Sequence, residues 1–177
     1  ILGFLAVTAI PKFLDLTDQA KEANIEGMAG GFATGVSLVR AQWEAEGRPQ
    51  DSTSRNVVDY DGELVLLTTE DSAADIRPGY IVSSVDGANT GALLGTGFTV
   101  TNCIDIWNSI LQQPPKLTNS ITTLNSDNSM DYFVTKSTGT GAATTCHYYL
   151  KESLNKDVST GDFESPGTDT SIGNSFT

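Results

Sequence analysis

Residues 1–13 read ILGFLAVTAIPKF, and from Lys12 a helical pattern runs on to Glu46, where Gly47, Arg48 and Pro49 supply a stop. Residues 1–10 carry no charge, and the first ionisable side chain is Lys12, directly after Pro11. A run of that length is too short to cross a bilayer. No basic segment precedes it and no small-residue cleavage site follows it, so a complete secretory signal is a poor reading. The chain opens in the middle of a hydrophobic helix, and a further apolar stretch of roughly ten residues is expected upstream. A helix of about 46 residues would be about 70 Å long at about 1.5 Å per residue, so half of it must project from a small domain or pack elsewhere. Pro11 lacks an amide donor and its ring clashes with the preceding turn, so a kink or a melted turn is expected there.

Beyond Pro11, Phe13, Leu16, Ala20 and Ala23 lead into Ile25, Met28, Phe32, Val36, Val39 and Trp43. The spacing of three and four predicts one apolar face. Gly27, Gly31 and Gly35 recur at every fourth position with Gly30 alongside, and each costs about 1 kcal/mol of helix propensity relative to Ala. Such a stripe lets another backbone approach closely, whether a sheet of the same chain or a neighbouring helix. A helix broken at Gly30 and Gly31 is the competing reading.

From Val57 the period changes. VVDY, Asp61-Gly62 and ELVLL form a hairpin pattern with a type I′ turn, and residues 80–85 (YIVSSV) are a further strand ended by Asp86-Gly87. A short helix is expected over residues 103–112, with Asn102 as its cap, Asp105 at the third helical position and Pro114-Pro115 beyond its end. Residues 121–124, 131–136 (DYFVTK) and 146–151 (CHYYLK) complete the strand set, the last two joined by the flexible STGTGAATT. After Lys156 no basic residue appears, and a chain end rich in Ser, Thr, Gly and Asp reads as an exposed tail with little to bury. The fold class is α+β, a long helix on an antiparallel sheet. Residues 1–47 form the helix and residues 48–177 a β-rich head with an acidic tail.

The chain's 177 residues amount to one ordinary domain, and 22 acidic against 10 basic side chains give a formal charge of -12. That excess removes the counterion release that drives binding to phosphate backbones, so nucleic acid is not expected as a direct partner. Cys103 and Cys146 are the only cysteines and His147 the only histidine, a set that matches no structural zinc site. The two cysteines suit one disulfide in an oxidising compartment or a pair of inert thiols in a reducing one. A bond between them would close a loop worth on the order of 4 kcal/mol in the chain-entropy model. Adjacent strand residues point to opposite faces, so Cys146 and His147 are poorly placed as nucleophile and base.

The order L-G-x-L-A-x-x-A-x-P over residues 2–11, followed by an amphipathic helix and a β-rich region with two late cysteines, resembles the type IV pilins of Gram-negative bacteria. PKFLDLTDQA is similar to the mannose-sensitive haemagglutinin branch. The resemblance implies a structural subunit, not an enzyme, with no cofactor. In this family a prepilin peptidase cleaves ahead of the apolar helix, the new amine is methylated and a nearby glutamate pairs with a neighbouring subunit's amine. It implies a homopolymer with Ile1, Leu2, Phe4, Leu5, Val7, Ile10 and Pro11 in the filament core, built by assembly machinery from an inner-membrane pool and displayed outside the cell for adhesion or motility. It also implies a bonded Cys103–Cys146 pair, since an exported head passes through the oxidising periplasm. Burying the apolar residues at about 1.5–3 kcal/mol each would give an association term near 10 kcal/mol before entropic costs.

Two other readings compete. A type II secretion pseudopilin stabilised by calcium would share the first helix. A small secreted calcium-binding protein or enzyme would draw on Asp59, Asp61 and Glu63, on Glu70, Asp71 and Asp75, or on the Gly-rich GALLGTG of residues 91–97. No EF-hand pattern is present, and GALLGTG lacks the nucleotide fingerprint. No G-x-S-x-G or HExxH occurs either.

Overall fold

A computed structural model describes residues 2–85, 97–137 and 144–177, and the side chains of the first helix from residue 16 onward. Ile1, the side chains of Leu2, Phe4, Leu5, Val7, Ile10 and Pro11, the Asp86-Gly87 turn and residues 91–96 of GALLGTG lie outside the described residues, as do residues 138–143 of the β-loop.

Helix α1 spans Leu2–Ala45, 44 residues. Its helical backbone is unbroken at Pro11, so the melted turn expected there is not present in the single chain. It is equally unbroken at Gly30 and Gly31, which rules out the interrupted alternative. The stop falls where the sequence places it: Gly47 and Arg48 take φ of 81° and 61°, and the Arg48 amide donates back to the Trp43 carbonyl at 2.9 Å.

The single apolar face expected along α1 is in fact two. Ile25, Val39 and Trp43 are buried, with Met28, Phe32 and Val36 packed beside them. Leu16, Ala20 and Ala23 are exposed. At about 100° per residue the step from Ala23 to Ile25 carries the pattern to the far side of the helix, so the three-and-four spacing changes face there. Trp43 donates Nε1–H to the Pro49 carbonyl at 3.1 Å. Gly79, at φ +91°, is pressed against its ring, where a Cβ would come within 2.8 Å. No other residue fits that turn.

Two sheets lie against this helix rather than one. The first holds β1 (Asn56–Tyr60), β2 (Glu63–Leu67) and β3 (Ile81–Ser84) in that order, all antiparallel. Asp61 and Gly62 turn the hairpin with φ of 53° and 85°, both positive as a type I′ turn demands. The second sheet has the order β4 (Leu117–Thr118), β5 (Tyr132–Lys136), β6 (Cys146–Leu150) and β7 (Ser175–Phe176). Its β4–β5 pair is parallel and the rest antiparallel.

Helix α2 (Val100–Ile110) starts three residues before its expected position. Its cap is Thr99, whose amide donates to the Asn102 side-chain oxygen at 2.9 Å. Asn102 sits one turn in, fully buried, and its Nδ2 donates to the Val82 carbonyl of β3 at 3.0 Å. The expected cap therefore ties the helix to the sheet. Residues 121–124 belong to a short helix, α3 (Ile121–Ser126), not to a strand, because the Ser120 hydroxyl accepts from the Thr123 amide and starts a turn. Leu124 is its buried residue.

The tail is exposed over most of its length, as expected, but aromatic side chains anchor it at two points. Phe163 packs into a second cluster with Leu124, Phe133, Tyr149 and Leu154, under the ammonium of Lys156 at 4.3 Å. Phe176 in β7 lies 5.2 Å from Tyr148 and 5.4 Å from Phe32, centroid to centroid, inside the main aromatic cluster.

Candidate functional site

Cys103 in α2 and Cys146 at the start of β6 form a disulfide, with Cα atoms 5.7 Å apart. Cys103 is fully buried and its carbonyl accepts from the Tyr148 hydroxyl at 2.8 Å, so covalent bond and hydrogen bond fasten α2 to the same strand. The bond uses up Cys146 as a nucleophile.

The acids considered as ligands or catalysts are turn formers or exposed. Asp59 accepts from the Gly62 amide at 3.0 Å, and Asp71 accepts from the amides of Ala73 and Ala74. Asp61, Glu63, Glu70 and Asp75 are exposed. Among the described residues no group of three or more His, Cys, Asp and Glu side chains could hold a metal. Asp51 is held well below the usual carboxylate range, first by the Arg55 amide, and it closes a loop with Arg55 at 2.6 Å. On α2, burial pushes the Asp105 carboxyl up against a hydrogen bond from Ser83. The groove of about 350 Å³ between α1, α2 and β6 is lined by Phe32, Val36, Ile106, Cys146, Tyr148 and neighbours, none of them with a carboxylate side chain.

The glycine stripe divides. Gly35 is buried against α2: a Cβ there would lie 3.1 Å from both the Cβ and the carbonyl oxygen of Ile110. Gly27, Gly30 and Gly31 are exposed, and a Cβ at any of them would meet nothing within 4 Å beyond the adjoining helix backbone. A four-residue step overshoots the helical turn by about 40°, so the stripe winds from the outer side at Gly27 to the head side at Gly35.

Sequence reading missed what the exposed glycines belong to. Leu16, Ala20, Ala23, Gly27, Gly30, Gly31, Thr34, Leu38, Ala41 and Ala45 are all exposed and follow steps of three and four along one side of α1. The charged residues of that stretch, Asp18, Lys21, Glu22, Glu26, Arg40 and Glu44, fall outside this set. Leu16 and Leu38 stand 60% and 51% exposed, large apolar side chains on an uncharged face of small residues. Such a face admits another helix at close range. The signal was in the sequence as the heptad-like spacing of small residues out of phase with the bulky ones.

A long helix laid by one face on antiparallel strands is an α+β arrangement consistent with the pilin fold. The chain is 39% identical over 49 residues, 28% of its length, to the Type IV narrow pilus major component PilA5 of Thermus thermophilus, and the match spans 40% of that protein. No family model matches the chain, and no solved structure does. The partial likeness supports a type IV pilin.

Proposed function

We propose that the chain is a structural subunit of a type IV pilus filament, a homopolymer held together by α1 and clothed by the β-rich heads. The observation that carries this reading is the outward face of α1. A helix that already fills its own head's core has no use in a monomer for a second, uncharged side of Leu, Ala and Gly, whereas neighbouring copies of α1 could close upon it and bury it. The partial likeness to a pilus major component supports the same reading. No helix among the described residues is long and apolar enough to cross a membrane. Ile1, Leu2, Phe4, Leu5, Val7 and Ile10 would extend the contact into the filament core, with a discontinuity at Pro11 on assembly. An inner-membrane pool, assembly machinery and an extracellular filament serving adhesion or motility belong to this proposal, as does a role without catalysis. Membership of the haemagglutinin branch is part of it too.

Leu5→Asp tests the reading. An unpaired charge among packed helices costs several kcal/mol, comparable with the association term. Filaments should disappear from electron micrographs of cells expressing the variant, while the head keeps its melting midpoint. Normal filaments would remove the physical support for the proposal.

A further inference from the structure

His147 takes no part in the contacts described so far. It lies on β6 directly across from Thr135 of β5, is 9% exposed, and neither ring nitrogen has a hydrogen-bond partner among the described residues. A neutral imidazole has one donor and one acceptor, and leaving both unmet inside a protein is uncommon enough to need a reason. The strand backbone around it is closely tied. Cys146 before it holds the disulfide, and Tyr148 and Tyr149 after it pair with Phe176 and Ser175 of β7. The ring lies on the face of β6 opposite Cys146 and Tyr148, beside the buried hydroxyls of Thr135 and Tyr149, which likewise lack a partner among the described residues.

The groups around it offer no compensating charge. The hydroxyls of Thr135 and Tyr149 belong to the same face of the sheet. Asp169 of the C-terminal segment acts electrostatically on the Tyr149 hydroxyl. Lys136, next to Thr135, turns its ammonium to the Ser137 carbonyl at 2.8 Å. On the imidazole itself burial is the one resolved influence, and it lowers the pKa.

We propose that His147 is an acid-sensitive latch of the head: neutral, it lets β6 hold β7 and the C-terminal segment, and protonated, it places an uncompensated charge in the sheet and loosens them. The latch belongs to the head and does not rest on the filament reading. A histidine whose pKa is lowered by folding contributes stability that is present above its unfolded value of 6.5 and is lost as pH falls through the folded value. Asp51, Asp127, Asp157 and Asp169, held below the ordinary carboxylate value of 3.8, lose their contributions only in stronger acid. Asp105, held above it, acts in the opposite sense. The loss of stability that begins as pH falls below 6.5 therefore belongs to His147, since Asp105 works against it and the four lowered carboxylates act only in stronger acid.

The experiment uses the full chain, in which a single histidine gives a single ring signal in a carbon-resolved NMR titration. The ring should titrate below 6.5. The denaturation midpoint of the unmodified chain should fall from about pH 7.5 to about pH 5, and that of His147→Gln should stay level. Amide exchange at Tyr148 and Tyr149, corrected for intrinsic rate, should speed up as pH falls, while Val58 and Val65 in the first sheet keep their protection. A ring that titrates at or above 6.5, or a Gln variant with an equal fall, would overturn the latch. If the variant does not fold, the titration and exchange of the unmodified chain still decide.

Discussion

Along one helix, the face toward the sheets carries Ile25, Val39 and Trp43, all buried, and the opposite face carries Ala20, Ala23, Gly27, Gly31 and Ala41, all exposed. Bulky side chains fill a core at a distance, whereas small ones let backbones touch. The difference separates two tasks for α1: the first face holds its own head, and the second is kept for a neighbour. Sequence periodicity alone merges them, because both use steps of three and four and the change of phase between Ala23 and Ile25 is only one short step.

The largest effect available on either face is at Trp43. It is 2% exposed, seated on Gly79 and bonded to the Pro49 carbonyl. Trp43→Ala should cost about 3–5 kcal/mol in a denaturant melt of the chain. The matching change on the outer face, Leu38→Ala, should move the same midpoint by less than about 0.5 kcal/mol and yet reduce filament yield. Equal losses of head stability from both would erase the distinction between the faces.

Gly35→Leu and Gly31→Leu make the division sharper, since one sequence stripe supplies both. A larger side chain at Gly35 must displace Ile110, and overpacking of that kind costs about 1–3 kcal/mol. At Gly31 a Cβ would meet nothing within 4 Å beyond the adjoining helix backbone, so the head should melt normally and only assembly should fail. Head destabilisation by the Gly31 variant would show that the outer face is covered in the single chain.

How much of this is legible beforehand varies with how local the cause is. The Asp61-Gly62 hairpin is legible because the turn's two positive φ values call for those residue types. The stop at Gly47 is legible for the same reason. With two cysteines only one pairing is possible, while their being bonded follows from the resemblance to exported pilins. The start of helix α2 is displaced by three residues because its cap is Thr99, which works through a reciprocal bond with Asn102, the residue expected as the cap itself. Residues 121–124 have the composition of a strand, and the Ser120 cap overrides it. Phe163 and Phe176 are single aromatics in polar surroundings, and their partners, Leu124 and Tyr149 for one and Phe32 and Tyr148 for the other, are set by tertiary folding alone. Of the candidate site, the glycines are legible as a reason for close approach, but not which of them face outward.

The smallest effect separates the faces by sign. Gly31→Ala adds one methyl group to an exposed helical position with open space around it. The change should stabilise the head by up to about 1 kcal/mol, since Ala is the better helix former and loses less backbone entropy on folding. Gly35→Ala gains the same propensity, but its methyl group would lie 3.1 Å from the Ile110 Cβ and 3.1 Å from its carbonyl oxygen. One of those neighbours is backbone and cannot rotate away, so the gain at Gly35 should be cancelled or reversed. Paired denaturant melts give the two signs directly. If Gly31→Ala stabilises the single chain while filaments become fewer, the glycine was kept at a cost to the monomer for the sake of the neighbour's backbone. A stabilised chain with undiminished filaments would mean that a methyl group fits that contact, and the close approach would then have to be sought at Gly27 and Gly30 instead.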